Sequence, residues 1–373
     1  MVKVVTEFAH WDRSPEAAVK LAHRALGRLE EHPKVVVLLA SQEYDLPAML
    51  PALRMLLGDV PIWGSTLRQI WHPEGRPSRS LQVILLSGEE IQADTRWFTT
   101  WEQAEEHDLT RWEDSTLWVL LDALTPPAPQ WLDWLRGHPG AIYGAVTGNA
   151  AYGHPARLCA GHRGGSGGMA LLALRGLQAS AAWATGWAPS GLLVEVTQSH
   201  GPRVVQFNGQ PAAAQLSAWM GAPEEHWRRP PLRELVRLYP LTVETPEGMA
   251  WYAPLAVEQD GSLRLTLPLA PGTTAHLMVG SPQECLAAAQ QAARQALEGL
   301  ASQRPRLALL LVDWAWAHLF WARPQAVHQA VRQVLGAEVP IVGGYTYGPL
   351  VRPGSPPTPV QVLDNHLLLV LFE

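Results

Sequence analysis

The sequence predicts a mixed α/β fold built from repeated βαββ units, whose mixed sheets stack with helices outside. Short β-branched apolar runs alternate with segments that carry apolar residues at helical spacing. The phrase VPIWGST at 60–66 returns as VPIVGGYTYG at 339–348. The elements around the two phrases follow one another in the same order, which indicates one unit built more than once.

The first copy opens with a helix and continues through three strands. Ser14 is a favourable N-cap, Pro15 suits the first helical turn, and apolar residues recur at helical spacing over 18–29. A second helix is predicted to end at Gly58, a residue type that readily closes helices. The strands are predicted at 32–41, 60–66 and 80–88.

The last copy repeats this order near the C-terminus. Ser281 and Pro282 open a helix, and Glu284 completes a capping box. Gly336 is predicted to end the second helix, as Gly58 does in the first copy. The strands are predicted at 304–313, 339–348 and 365–372.

A weaker copy lies in the middle of the chain, between irregular and β-rich connections. The segment 89–116 is predicted to be irregular, whereas 191–209 and 255–272 are predicted to be β-rich. The strands of this copy are predicted at 117–123, 141–149 and 168–174, with a helix at 128–137.

Length and composition predict two globular domains. The chain has 373 residues, of which 47% are hydrophobic and 17% charged, enough to fill real cores. The charged, proline-rich stretch at 221–231 is the best boundary, which gives domains at 1–220 and 221–373.

Charge and cysteine content exclude several classes of protein. The net charge is −6 and no Lys/Arg run is present, so a nucleic-acid groove has no electrostatic basis. Two cysteines and no signal-peptide pattern favour the cytoplasm. The apolar stretch at 306–322 is interrupted by Asp313 and His318 and is short for a bilayer, so we expect a buried strand followed by a turn and no membrane partner.

Motifs in both halves, in one order from about residue 15 to 370, resemble the two domains of the FIST family. Those resembling the C-terminal FIST domain are YPLTVE (239–244), DGSLRL (260–265), the apolar strand at 306–313, LGAEVPIVGGYTYG (335–348) and Asn365. Those resembling the N-terminal domain are VPIWGST (60–66), YGAVTGN (143–149), GGMALLALRG (167–176) and VTQSHGPRVVQFNGQPA (196–212).

The resemblance implies a stand-alone cytoplasmic module for bacterial sensing and signal transduction. It implies a small polar ligand such as an amino acid, a signalling protein as a further partner, and no cofactor. The chain departs from the family pattern at polar positions. Arg68 and Gln69 replace a Gly-Glu pair, Pro349 replaces a Glu, and the stretch 313–324 replaces a Cys-Gly-Arg motif and keeps Arg323 alone.

We expect the ligand at the ends of the third-copy strands, because ligands of open α/β sheets bind at the carboxyl ends of strands. Asp313 and Arg323 together would bind both charges of a zwitterion, unless they pair with each other. Asp122 and Asp313 have the alternative role of capping the next helix, and the tyrosine rings that of filling the core. The candidate ligand-binding residues are Asp313, Arg323, Tyr345, Thr346, Tyr347, Asn365, Ser65 and Thr66.

Other site types find weaker support in the sequence. His154, Cys159 and His162 are zinc-compatible, but a fourth ligand is not evident, so no metal is predicted there. The glycine-rich 161–168 precedes a strand pattern, so a hairpin is expected instead of a phosphate loop.

Two rival functions stay open. One is a protein–protein scaffold that has lost its ligand. The other is a hydrolase or transferase using Asp313 with His318 or Tyr345, although no nucleophile elbow is present.

Overall fold

The computed structural model describes residues 2–124, 129–149, 153–230, 232–246, 248–352 and 358–373. Ala128, which begins the predicted middle helix, and Pro231, which ends the predicted boundary stretch, lie outside the described residues. The α-helices are α1 Glu16–Leu29, α2 Leu46–Leu57, α3 Trp101–Glu105, α4 Pro129–Arg136, α5 Ala212–Met220, α6 Glu224–Trp227, α7 Leu232–Leu235, α8 Pro282–Glu298, α9 Trp314–Leu319 and α10 Ala326–Leu335.

The strands of the three copies follow the order that the sequence predicts, and further strands, both long and short, are added to them. They are β1 Lys3–His10, β2 Val35–Ser41, β3 Ile62–Leu67, β4 Gln69–Trp71, β5 Pro77–Ser78, β6 Ser80–Ser87, β7 Gln92–Phe98, β8 Thr116–Asp122, β9 Ile142–Thr147, β10 Arg157–Ala160, β11 Arg163–Ser166, β12 Met169–Arg175, β13 Ala179–Ala184, β14 Trp187–His200, β15 Arg203–Phe207, β16 Gln210–Pro211, β17 Leu241–Thr245, β18 Gly248–Tyr252, β19 Pro254–Val257, β20 Leu263–Leu265, β21 Thr274–Gly280, β22 Leu307–Asp313, β23 Ile341–Thr346, β24 Pro349–Val351, β25 Gln361–Val362 and β26 Leu367–Phe372.

Three six-stranded sheets are each centred on one of the predicted copies. The first sheet has the order β1-β6-β2-β3-β10-β11, the second β25-β24-β9-β8-β12-β7, and the third β13-β26-β22-β23-β4-β5. In each, the copy's first strand pairs in parallel with its second and antiparallel with its last. The outer sheet, β18-β17-β21-β14-β15-β20-β19 with β16 beside β15, is built from the predicted β-rich connections and their neighbours.

The three central sheets exchange strands in a closed ring. The chain leaves the first sheet after β3, and β4 then pairs with β23 in the third sheet. After β23, β24 joins β9 in the second sheet, and after β9, β10 joins β3 in the first. No pattern in the sequence predicted this exchange, which interleaves the N-terminal and C-terminal halves of the chain.

One apolar core fills the space between the three sheets. Trp63, Trp118, Leu309 and Phe372 belong to a single buried cluster to which all three sheets contribute, and the rings of Trp118 and Phe372 lie 5.2 Å apart. Helices α1 and α2 cover the outer face of the first sheet, α4 that of the second, and α8 and α10 that of the third. The α/β fold with mixed sheets and outer helices is confirmed, with three sheets facing one core.

A glycine occupies the same place in the second strand of each copy. A Cβ at Gly64, Gly144 or Gly343 would lie 1.8, 1.8 or 2.4 Å from a carbonyl oxygen of the parallel neighbour. Real Cβ atoms essentially never approach so closely, so only glycine permits these two strands to pair at this point.

Three of the four predicted helix ends are confirmed. Gly58 and Gly336 close α2 and α10, and the side chain of Ser281 accepts a hydrogen bond from the backbone amide of Glu284 at the start of α8. Ser14 does not cap α1, because Pro15 takes the N-cap position and no side chain caps this end.

Three stretches differ from the sequence predictions. The segment 89–116 contains β7, an edge strand in which Asp94 and Arg96 alternate with less polar residues, and 3–10 forms the edge strand β1. The turn predicted after 304–313 is the short helix α9. Among the described residues, no helix combines the length and the hydropathy needed to cross a membrane.

Candidate functional site

The carboxyl ends of the parallel strands from all three copies meet at one place. Ser65 Oγ of β3 donates a hydrogen bond to Thr147 Oγ1 of β9 at 2.9 Å. The amide of Arg68 donates to the carbonyl of Tyr345 at 2.9 Å, and that of Tyr347 donates to the carbonyl of Val146 at 2.7 Å. Side chains that follow these strands are therefore brought together, as expected for the carboxyl edge of parallel strands.

A buried arginine occupies the centre of this junction. Arg237 lies in a short 3-10 helix after α7, and its side chain is 2% exposed. Its Nε and Nη2 donate to the two carboxylate oxygens of Asp313 at 2.9 and 2.5 Å, and Nη2 also donates to Asp364 at 3.1 Å. A two-point guanidinium–carboxylate contact of this kind fixes orientation as well as charge.

Asp364 links this ion cluster to the outer sheet. Its second carboxylate oxygen accepts hydrogen bonds from the backbone amide of Ala253 at 2.8 Å and from Thr266 Oγ1. Asp364 thus joins Arg237 to Ala253, which lies between β18 and β19, and to Thr266, which directly follows β20.

A second chain of polar contacts runs from Arg237 to the first two copies. The guanidinium lies 5.0 Å from the ring of Tyr347, whose hydroxyl donates to Asn149 Oδ1 at 3.1 Å. Asn149 Nδ2 donates to Gln42 Oε1, which also accepts from Arg68 Nη1.

Glu234 closes the network towards the surface. Its carboxylate accepts from Arg68 Nη2 at 2.9 Å and from Trp314 Nε1 at 3.1 Å, and the Arg68 guanidinium lies 4.7 Å from the Trp314 ring. The strand-end network is defined as Gln42, Arg68, Asn149, Glu234, Arg237, Asp313, Tyr347, Asp364 and Asn365.

Burial shapes the electrostatics of the network. Loss of hydration raises the pKa of Asp364 to about 6, and the neighbouring Asp313 adds to the shift while Arg237 opposes it. Burial acts to lower the pKa of Arg237, but the two carboxylates outweigh it and the pKa is raised. Burial lowers the pKa of His318 to about 4, so its imidazole is neutral at pH 7.

Four buried polar atoms at this junction have no hydrogen-bond partner among the described residues: Arg237 Nη1, His318 Nε2, Tyr345 Oη and Asn365 Oδ1. Asn365 Nδ2 donates to the carbonyl of Arg237, and His318 Nε2 lies 3.9 Å from Glu234. Buried polar atoms are almost always paired, so this group, which offers a donor in Arg237 Nη1 and an acceptor in Asn365 Oδ1, is a candidate place for a polar molecule.

Most of the predicted site residues lie at this junction. Asp313, Tyr347 and Asn365 contact Arg237 directly. Thr346 is buried beside Asp313, where its hydroxyl donates to a backbone carbonyl at 3.4 Å. Ser65 binds the second copy, as described above.

The hydroxyl of Thr66 forms a hydrogen bond with the backbone at the start of β10. Its Oγ1 accepts from the backbone amide of Arg157 at 3.0 Å, next to the strand β10 that crosses from the second copy.

Arg323 is not the partner of Asp313. Arg323 is exposed on the connection between α9 and α10, whereas Asp313 is fully buried and binds Arg237. The direct pairing of Asp313 with Arg323 is wrong, because the cation that binds Asp313 is Arg237, which comes from another segment. The role of Arg323 in binding a ligand stays a prediction. In the sequence, Arg237 is marked only as the last of several arginines before the apolar YPLTV, and Asp364 only as an acid directly before Asn365.

The two tyrosines do not present one shared face. The strand β23 ends at Thr346, so the Tyr345 ring packs with Trp71 under α10 while Tyr347 enters the core below the second sheet. The rings of Tyr345 and Trp71 lie 4.7 Å apart. Both rings fill the core, which was the alternative role predicted for them. The Tyr347 hydroxyl has a hydrogen-bond partner, and that of Tyr345 has none among the described residues.

Asp313 also has the structural role predicted for it. Its carboxylate accepts from the backbone amide of Ala315 at 2.8 Å and so caps α9. The rival catalytic pairs find no support in this geometry, since neither His318 Nε2 nor Tyr345 Oη makes a hydrogen bond to Asp313.

The three zinc-compatible residues of the middle copy, His154, Cys159 and His162, lie in different environments. Cys159 lies in the apolar core under α1 and α2, where burial raises the pKa of its thiol to about 12. His154 is exposed, and His162 Nε2 lies 3.5 Å from Asp59. The glycine-rich segment that follows is the predicted hairpin, formed by β10 and β11.

Comparison with known families covers most of the chain. A model described as FIST N domain matches residues 34–210, and one described as FIST C domain matches residues 212–352. No curated protein matches the chain.

Proposed function

The chain belongs to the FIST family, whose domains are sensory and signal-transduction domains, and from this premise we propose that it senses a small polar ligand at the strand-end network. The observation that carries this proposal is a group of four buried polar atoms at the junction that have no partner among the described residues. Arg237 Nη1 and Asn365 Oδ1 belong to one hydrogen-bonded pair, and His318 Nε2 and Tyr345 Oη belong to rings that both pack on Trp314. An amino acid is the ligand class that fits them best.

The chemistry of these atoms favours a zwitterion. Arg237 Nη1 and Tyr345 Oη are donors suited to a carboxylate, and Asn365 Oδ1 is an acceptor suited to an ammonium group. Glu234, whose side chain is 11% exposed, adds a negative charge on the surface side. Each charge-assisted hydrogen bond would contribute about 1.5–3 kcal/mol if water is excluded.

The segment that holds the network also suits signal transmission. Residues 232–238 supply both Glu234 and Arg237, which contact the first copy through Arg68 and the third through Asp313. A ligand bound at Arg237 Nη1 adds a contact to a segment that already touches both copies, and we propose that the position of the segment responds to occupancy. We place the protein in the cytoplasm, which suits its two buried free cysteines, with a signalling protein as the recipient of this change.

A thermal-shift screen with the twenty amino acids tests the proposal. A ligand at a hundred times its Kd stabilises the folded state by about 2.7 kcal/mol. Tyr345→Phe removes one unpartnered hydroxyl, so the unliganded Tm should stay equal or rise while the ligand-induced shift falls. Tyr44→Phe is the matched control, because Tyr44 Oη is also buried without a partner but its ring lies under α1 and α2.

Two outcomes would count against the proposal. The absence of any stabilising amino acid would favour a scaffold that acts through protein contacts alone. A shift that Tyr345→Phe and Tyr44→Phe leave equally intact would place the ligand elsewhere.

A further inference from the structure

A cleft of about 680 Å³ lies between the edges of the first and second sheets, away from the strand-end network. The tip of the β10–β11 hairpin forms one wall, and β7 forms the other. The end of α2 and the residues after it complete the rim. Its volume lies in the range of small-molecule sites, which is about 300–1,000 Å³.

Glycine at the hairpin tip permits the two walls to approach. Gly161 has a φ of 62°, and a Cβ there would lie 3.2 Å from Thr95 Oγ1 on β7. The glycine-rich motif therefore has a local reason that involves both walls of the cleft, besides forming a turn.

The cleft carries a surplus of positive charge on a protein whose net charge is −6. Arg54, Arg96 and Arg163 line it, against Asp59 and Asp94. For Arg163 the described residues provide no ion-pair partner.

The two acids do not cancel the three arginines. Asp94 accepts from Arg96 at 2.8 Å, and Arg111 and Trp112 Nε1 donate to its other oxygen at 3.3 and 3.0 Å. The Asp59 side chain is 90% exposed and lies 3.7 Å from Arg54, so water screens it strongly.

A histidine adds an unused polar atom to the same wall as Arg163. The Nδ1 of His162 is buried without a partner among the described residues, while its Nε2 lies 3.5 Å from Asp59. His107 and the indole of Trp97 line the opposite side. Guanidinium groups with neighbouring imidazoles and an aromatic wall are typical of sites for phosphate groups attached to small organic molecules.

We propose that this cleft binds a small phosphorylated molecule, with its phosphate held by Arg163, Arg54 and His162. The site is independent of the strand-end network, whose free groups favour a zwitterion. It accounts for the glycine-rich hairpin and for His162, which the proposed sensory site leaves unused.

Calorimetric titration of the full chain with pyrophosphate and with AMP tests this assignment. One molecule of each should bind per chain, and the two should compete. Arg163→Gln should weaken binding about tenfold, since a charge-assisted hydrogen bond of about 1.5 kcal/mol corresponds to that factor. The double variant Arg54→Gln, Arg163→Gln should bind more weakly still.

Arg157→Gln is the matched control. Arg157 lies on the same hairpin and is partly exposed, but it pairs with Asp45 at 2.9 Å and does not line the cleft. Its affinity should stay within about twofold, and the Tm of every variant should confirm that the chain is folded.

Absence of binding at millimolar pyrophosphate and AMP would overturn the proposal. Equal weakening by Arg157→Gln and Arg163→Gln would also overturn it, because it would show general attraction of anions. Either result leaves the amino-acid screen at the strand-end network unaffected.

Discussion

Asp122 and Asp313 are the last residues of central strands in the second and third sheets and occupy equivalent positions, but they have different roles. Both pair in the same register with the neighbouring parallel strand. Asp122 accepts a hydrogen bond from the backbone amide of Ala156 at 2.7 Å and so anchors the crossing strand β10. Asp313 caps α9 and also binds the buried guanidinium of Arg237.

The difference indicates that equivalent strand ends provide the same position for an aspartate, whereas the segment that packs on the strand end determines what the aspartate binds. In the third sheet, the segment 232–238 reaches over the strand ends and brings Arg237 with it. The copies therefore share a scaffold without sharing a site, and substitutions at equivalent positions should have unequal effects.

Arg237→Met should have the largest effect, because it removes the cation that binds Asp313 and Asp364. Both carboxylates would remain buried, and breaking a buried ion pair from one side costs about 3–5 kcal/mol. Urea unfolding should show this as a lower midpoint.

The control for this substitution is Arg157→Met. Its ion pair with Asp45 joins side chains that are 43% and 53% exposed, so the loss should be about 1 kcal/mol or less. Similar losses for the two variants would show that Arg237 is no more than a surface cation in energetic terms.

Asp313→Asn and Asp122→Asn test the comparison at its two positions. Asp313→Asn replaces a charged two-point contact with Arg237 by a neutral one and should cost about 2–3 kcal/mol. Asp122→Asn keeps an acceptor for the amide of Ala156 and should cost about 1 kcal/mol. An Asp122→Asn variant less stable than Asp313→Asn in urea would reverse the assignment of roles.

A smaller effect should appear in the pH dependence of Asp364→Asn. The folded-state pKa of Asp364 is raised to about 6, above its ordinary value of 3.8, so the folded state retains the proton more strongly. Its contribution to stability is fully present below the unfolded pKa and is lost as the pH rises through about 6. The stability difference between wild type and Asp364→Asn should therefore be greater at pH 5 than at pH 7.

The difference must be measured between the two proteins, because buried histidines act in the opposite direction. Burial lowers the pKa of four histidines to about 4, so their contribution is present above pH 6.5 and is lost on acidification. These are His138, His318, His328 and His366. A pH-independent difference would show that Asp364 is ionised throughout the range.

Local patterns predicted the strands and helices of each copy, since a buried strand and an amphipathic helix leave clear periodicities. The exchange of β4, β10 and β24 had no such signal, because each is short and pairs with a strand distant in sequence. The edge strand β7 was missed for a related reason. Asp94 and Arg96 alternate with Ala93, Thr95 and Trp97, so β7 lacks the continuous apolar run by which the buried strands were recognised.

The residues of the site also divide into those that the sequence could predict and those that it could not. Asp313, Tyr347 and Asn365 could be placed together because each lies at or next to an end of a predicted strand of the third copy. Arg237 could not, since its position depends on how the chain folds back after the first half. Arg323 looked equally suitable in the sequence but lies on the exposed side of α9 and α10.

Hydrogen–deuterium exchange with the most strongly stabilising amino acid tests the central claim most directly. Binding at the strand-end network predicts slower amide exchange in 232–238 and 313–316, with little change around the cleft at 161–163. The same protection should be weaker in Tyr345→Phe. Protection confined to regions outside 232–238 and 313–316, with a full thermal shift, would contradict the account.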